Sequence, residues 1–380
     1  MKPKLLIVLC ILTGLLLLAA LVIGGMLFYR YRYVPTMADT TTAAATEATT
    51  VPETTPPATT EETTEAVTEE TTEATEPPPQ EEYYTLSFAG DCTLGNSHGD
   101  WGSPGSFIGM IGDHYEYPFL AVRNYFGTDD FTMVNFEGTL TTSRAAEDKK
   151  FVFHAPPAYA RILTIGSVDA VSLANNHSYD YGYQGYIDTQ AALDKEGILY
   201  AGNGDTFLFT TDSGLTIGVY ANSFWWDVEE MAADIQQLEA DGAEIIVASF
   251  HWGIERDYYP CYDQIYYAHA AIDAGADIIF GHHPHVLQNI EYYKDGIIYY
   301  SLGNFSFGGN HWPDDMDTAV LQQEVIRDID GTVRLGELTI IPCRLSSITA
   351  RNDFQPTPYA VDDPGYQRVL KKLEPIYNEE

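Results

Sequence analysis

From Tyr83 onward, short runs of β-branched and aromatic residues alternate with stretches whose apolar positions fall at helical spacing. That alternation predicts an α/β architecture rather than a sandwich of hairpins. Strands are expected at Tyr84–Ala89, Phe131–Asn135, Ala170–Leu173, Leu215–Ala221, Glu244–Phe250, Asp277–Phe280 and Gly296–Leu302. Helices are expected at Pro118–Phe126, Pro157–Ile165, Tyr183–Glu196, Met231–Asp241 and Gln264–Ala274. Beyond Asn304 the pattern changes. Thr318–Arg327 and Thr332–Arg344 read as a closing antiparallel ladder, and Gly365–Leu373 as a last helix.

An apolar run of a different kind opens the chain. Leu5–Tyr29 carries no charge over 25 residues, enough to cross a hydrocarbon core of about 30 Å as a helix. Thr36–Gln80 follows, a Thr/Glu/Pro/Ala tract with almost no large apolar side chain, which cannot bury enough surface to offset its ordering entropy. The expected organisation is a cytoplasmic tip and membrane anchor (1–32), a disordered stalk (33–82) and a folded domain (83–380). This describes a single-pass protein of the cell membrane with its C-terminal domain extracytoplasmic. A cleaved signal peptide and a cytoplasmic orientation are the competing readings.

Charge sharpens the picture. The 380 residues carry 19 Lys+Arg against 55 Asp+Glu, a formal net charge of −36. Residues 1–32 hold four of the cations and no acid, and residues 33–82 hold twelve acids and no cation, which leaves −28 on residues 83–380. A surface of that sign repels phosphate backbones and excludes nucleic acid as a general partner. Cys10 lies in the apolar run, and Cys92, Cys261 and Cys343 are too few for a disulfide framework.

Residues with ligand or acid-base chemistry fall directly after five of the expected strands. In open α/β sheets ligands bind beyond the carboxyl ends of strands, so these clusters are expected to converge. Asp91 in GDCTLG offers a hard carboxylate oxygen, and Glu137 in VNFEGTL a second carboxylate able to bridge two cations. In SLANNHSYDYG the Asn176 carbonyl oxygen can bind a metal while His177 faces a substrate, and Asp180 reaches His177 to fix its tautomer or hold it protonated. His251 in SFHWGIE and the turn His282-His283-Pro284-His285 add imidazoles that are costly in apolar surroundings unless bonded to metal or carboxylate. Each has a structural alternative: a turn residue at Asp91, a solvated strand end at Glu137, a helix N-cap at Asn176-His177 and a core histidine at His251. A nitrogen and oxygen set without thiolates suits Zn, Mn or Fe. The Trp225-Trp226 pair reads as core ahead of a saccharide platform.

In order along Leu86–Phe307, the motifs GDCTLG, VNFEGTL, SLANNHSYDYG, YAGNG, SFHWGIE, GADIIFGHHPHVLQ and YYSLGNFSF resemble the CapA family of capsule-biosynthesis proteins. The domain of that family is similar to the calcineurin-like metallophosphoesterases. The resemblance implies a four-layer αββα sandwich with metal ions at the strand ends, and a membrane-associated role in making a poly-γ-glutamate capsule. Carried over residue by residue, it implies that Asp91, Glu137, Asn176, His251, His283 and His285 bind one or two divalent cations (Mn, Zn or Fe). It makes His177, oriented by Asp180, the catalytic group. Asn135, Trp252, Glu255, Arg256, His282 and Asn304 are expected to face the substrate, with Arg256 either the cation for an anionic group or a partner in a surface salt bridge. The sequence departs from the phosphoesterase pattern twice: Asp91-Cys92-Thr93 stands where Asp-x-His is usual, and Asn135 or Glu137 where the second aspartate is usual. The implied function is metal-dependent hydrolysis of an anionic surface polymer or its precursor, alongside membrane synthase subunits. The alternative is a non-catalytic scaffold or polymer-binding subunit of a synthase or export complex.

Overall fold

The computed structural model describes residues 80–97, 99–223 and 227–377. The apolar run Leu5–Tyr29, the Thr/Glu-rich tract up to Pro79 and the Trp225-Trp226 pair lie outside these. Among the described residues no helix is long and apolar enough to cross a membrane.

Two seven-stranded sheets organise the domain. In the first, the spatial order is Thr357–Pro358, Val333–Arg344, Asp317–Arg327, Glu82–Cys92, Phe131–Phe136, Ala170–Ser172 and Leu199–Ala201. In the second it is Ile376–Tyr377, Ile290–Tyr293, Gly296–Tyr299, Ile278–His282, Ile245–His251, Thr216–Ser223 and Asp205–Thr210. The strands that carry the polar motifs pair in parallel: Glu82–Cys92 with Phe131–Phe136, and Phe131–Phe136 with Ala170–Ser172, in one sheet. Ile245–His251 pairs in parallel with Ile278–His282 in the other. Antiparallel pairing occurs toward one edge of each sheet, in the expected ladder of Asp317–Arg327 on Val333–Arg344 and in Asp205–Thr210 on Thr216–Ser223, while Leu199–Ala201 and Ile376–Tyr377 close the other edges in parallel.

Strand alternation explains how the layers stack. Along Ile245–His251, Ile245 and Val247 point into a core shared with the first sheet, whereas Ile246, Ala248 and Phe250 pack outward against helices. Phe131 and Met133 likewise face inward while Val134 and Phe136 face outward. Between the sheets, the Phe88 ring lies 5.1 Å from that of Phe280 and 5.8 Å from that of Tyr299. Outside the first sheet, helices Ala160–Ile165 and Gly182–Glu196 bury Ile162, Leu163, Ala192 and Leu193. Outside the second, Val228–Ala240 and Tyr262–Asp273 bury Met231, Ile235, Ala268 and Ala271. Helices, sheet, sheet and helices thus form four layers, and strands buried on both faces are the near-continuous apolar runs seen in the sequence.

Some elements differ from expectation. Pro118–Phe126 is mostly a series of turns, with helix only at Arg123–Phe126, although Phe119, Val122 and Phe126 still reach the same core at helical spacing. Pro157–Ile165 opens as a 3-10 turn at Pro157–Tyr159, the ring of Pro157 fitting its first position. Strand Asp205–Thr210 was not anticipated. It lies at a sheet edge, with alternating exposed and half-buried residues and no continuous apolar run.

One backbone crossing fixes the carboxyl ends of the two sheets together. Asp91 N donates to Gly303 O at 2.8 Å and Phe305 N donates to Asp91 O at 2.8 Å. The chains approach so closely that a Cβ on Gly90 would sit 2.0 Å from Gly303 O. Only glycine permits that contact.

Candidate metal centre

The parallel strands deliver their polar residues to one place. The first sheet contributes Asp91, Asn135 and Glu137, and the Asn175-Asn176-His177 turn that follows Ala170–Ser172. The second contributes His251 and the His282–His285 loop. In that loop His283 and His285 adopt φ of 95° and 57°. Left-handed conformations at non-glycine residues each cost of order 1–3 kcal/mol and gather where function fixes the backbone. Here they turn two imidazoles inward.

Glu137 lies at the centre, fully buried, and neither carboxylate oxygen has a hydrogen-bond partner. Its Oε1 is 3.7 Å from His177 Nε2, 3.8 Å from His285 Nε2 and 3.9 Å from His251 Nε2. These separations exceed a hydrogen bond. They are close to the ~3.4 Å between two ligands that each sit ~2.1 Å from a tetrahedral cation. Burial pushes the Glu137 carboxyl well above its usual range, against the pull of His285 and with the help of Asp91 and Asp180. A buried carboxylate left without a donor is strongly disfavoured, and a bound cation removes the penalty.

The imidazoles tell the same story. His283 Nδ1 lies 3.1 Å from His251 Nε2, which is itself 2.8 Å from Asn176 Oδ1. Burial, followed by the proximity of His283, holds His251 well below its usual pKa. Burial and His285 bring His283 down to about 4. Both are therefore neutral near pH 7, the form in which histidine binds metal. Asp91 accepts from Asn135 Nδ2 at 2.8 Å and lies 3.1 Å from His285 Nδ1 and 3.2 Å from His282 Nδ1. Burial works to raise Asp91, but the His282 and His285 contacts outweigh it and hold the carboxyl well below its usual range. His285 is raised to about 9, the carboxylates of Glu137 and Asp91 outweighing its burial.

Two groups have ligand atoms within 4.8 Å of one another: Asp91 with Glu137 and His251, and Glu255 with His283 and His285. The donors are carboxylates and imidazoles, so the residues present fit a divalent cation of the Zn, Mn or Fe type. Cys92 and Thr93 add nothing to this set. Cys92 is buried with its thiol against Gly90 O, and Thr93 Oγ1 accepts from Gly308 N at 2.7 Å.

The expected pair His177 and Asp180 forms a hydrogen bond, Nδ1 to Oδ2 at 2.8 Å. The carboxylate also accepts from Phe153 N and forms an ion pair with Lys149 Nζ. Lys149 in turn donates to Asn176 O at 2.7 Å. Its role was not legible in the sequence, because Asp180 lies 31 residues further along the chain. Asn175 braces the same turn, donating to Asn135 Oδ1 and Phe136 O and accepting from His177 N.

Three residues expected to face the substrate lie beneath the site instead. Trp252 is buried against Phe250 and donates to Tyr300 O, because the residue after a strand-end histidine points to the opposite, helix-covered face. Asn135 and His282 are fully buried and contact Asp91, so they position it rather than line the cleft. Glu255, Arg256 and Asn304 do line a cleft of about 300 Å³ that includes His285. Arg256 is exposed there, its guanidinium 3.5 Å from Asp314.

Carboxylates, an Asn-His turn and a paired-imidazole loop, set where two parallel-centred sheets meet, define an α/β protein whose strand ends gather a donor set that fits divalent cations. The chain belongs to the bacterial capsule synthesis protein (PGA_cap) family, whose model matches residues 85–309. It is 29% identical over 324 residues to the capsule biosynthesis protein CapA of Bacillus anthracis, covering 77% of this chain and 74% of that one. It is 30% identical over 280 residues to the PGA biosynthesis protein CapA of Bacillus subtilis, covering 67% and 70%. Among solved structures, NAD nucleotidase of Haemophilus influenzae aligns with TM-score 0.41 and 12% identity over 79% of this chain and 57% of that one.

Proposed function

We propose that this chain is a membrane-anchored, extracytoplasmic, metal-dependent hydrolase of the metallophosphoesterase type, acting on poly-γ-glutamate or a related anionic capsule polymer or its precursor. The observation that carries the proposal is Glu137, a buried carboxylate with two unpartnered oxygens ringed by three imidazole nitrogens. Asp91, Glu137, Asn176, His251, His283 and His285 would hold the cation or cations, with Glu255 at the solvent side. A bound divalent cation supplies Lewis acidity and neutralises charge that develops on the substrate. Asp180 fixes His177 by its Nδ1, which leaves Nε2 free of that bond to give or take a proton beside Glu137. Lys149, paired with Asp180, keeps that carboxylate in place. Membership of a capsule-synthesis family and the names of its relatives support the polymer, and the uncharged run Leu5–Tyr29 is what supports the anchor.

The test uses the full chain in detergent, with poly-γ-glutamate and a chromogenic phosphodiester as substrates, before and after chelation and metal return. Hydrolysis that disappears with EDTA, returns with Mn²⁺ or Zn²⁺, and is lost in His177→Ala with metal content unchanged is the expected result. Hydrolysis indifferent to His177→Ala would overturn the assignment. A second reading, a scaffold or polymer-binding subunit, is favoured by the commitment of Cys92 and Thr93 to the backbone, which leaves the first motif one ligand short. Full metal content with no hydrolysis of either substrate supports that reading.

A further inference from the structure

Beside the cleft that includes His285 and Asn304 lies a second cavity of about 400 Å³, and Tyr258 lines both. Its wall has an unusual charge for this molecule. Arg368, Lys371 and Lys372 line it together with a single acid, Glu374, on a domain that carries −28 across residues 83–380. The three cations share one face of helix Pro364–Lys372, at i, i+3 and i+4. Arg368 is held from beneath by both oxygens of Asp317, at 2.6 Å each, while half of its side chain stays exposed. Lys372 is held by Asp317 at 2.8 Å and by Asp315, and Lys371 is exposed. Even with Asp315, Asp317 and Glu374 counted against the three cations, the group is neutral where its surroundings are strongly negative. An anionic chain meets less repulsion there than the domain's net charge alone would impose.

We propose that this cavity is a docking site for a polycarboxylate chain whose neighbouring segment lies at the metal centre. The proposal rests on the polymer-hydrolase reading above. Carboxylates engage Lys371 and the outer edge of Arg368, Tyr258 and Tyr259 cover the aliphatic stem between them, and the chain passes Tyr258 into the cleft. Two linked contacts raise the effective concentration of the second, so a long chain gains affinity that a short one lacks.

The experiment measures binding of fluorescently labelled long poly-γ-glutamate, and of its γ-linked dimer, to the full chain in detergent by anisotropy. Lys371→Glu and Lys371→Gln are compared with Lys195→Glu, which makes the same charge change on the exposed end of helix Gly182–Glu196. Lys371→Glu should weaken the long chain by about fivefold or more, Lys371→Gln by less, and Lys195→Glu by under about twofold, with the dimer indifferent to Lys371. Equal losses in Lys371→Glu and Lys195→Glu, or no loss in either, would overturn the docking site and leave the hydrolase reading standing. No binding of either probe by the wild-type chain would overturn both.

Discussion

At the scale of single residues, the site is organised by a carboxylate that is out of place without a cation. Burial makes the charged form of Glu137 unfavourable, and no donor compensates it. Glu137→Gln should therefore raise the melting temperature in chelator, where the penalty disappears, and lower it relative to wild type in saturating Mn²⁺ or Zn²⁺, where the ligand is lost. Calorimetry of both forms under both conditions checks this, and a shift of the same sign in each would contradict it. Asp91, Glu137, His177, His251 and the His283–His285 turn were legible because each follows an apolar run, and the chain order of those runs is enough to bring their ends together. Trp252 was not. Its neighbour His251 faces the site, and pleating alone sends the next side chain to the other face. Lys149 was illegible for a different reason: the partner that gives it meaning, Asp180, is distant in sequence and joined to it only by the fold.

At the scale of elements, parallel strands act as rails that end at a common line, and the Asp91–Gly303 and Phe305–Asp91 backbone bonds lock the two sets of rails in register. Gly90→Ala places a methyl against Gly303 O, where 2.0 Å separates the positions. The strand end must shift and take Asp91 with it. The substitution is expected to cost about 1–3 kcal/mol in denaturant unfolding and to weaken metal binding as well. Wild-type metal affinity in a destabilised Gly90→Ala would separate the crossing from the site. Central strands were readable because burial on both faces makes them continuously apolar. Edge strands such as Asp205–Thr210 and Leu199–Ala201 were not, since one side meets solvent and their side chains are mixed.

At the scale of the whole molecule, acidity shapes stability. Away from the site, burial first, and the nearby Asp169 and Asp130, push Asp129 up to about 7 despite hydrogen bonds from Ser87 and Thr132. The unfolded carboxyl titrates near about 4. Between these values the folded state holds a proton that the unfolded chain has released, so the stability this group contributes is complete below about pH 4 and is lost as pH rises through about 7. Asp129→Asn keeps a neutral group at all pH and should gain on wild type from about pH 4 to about pH 7 in chemical denaturation, the difference levelling off above that. Parallel stability profiles for the two proteins would contradict the assignment.

The central claim is that the cluster around Glu137 holds divalent cations, and its most direct test is elemental analysis of the purified full chain after growth with Mn, Zn and Fe, beside Glu137→Gln and His283→Ala. At least one equivalent in the wild type, reduced in both variants while their folds persist by circular dichroism, is the predicted result. No metal under any supplementation, or metal retained equally by all three proteins, would contradict it.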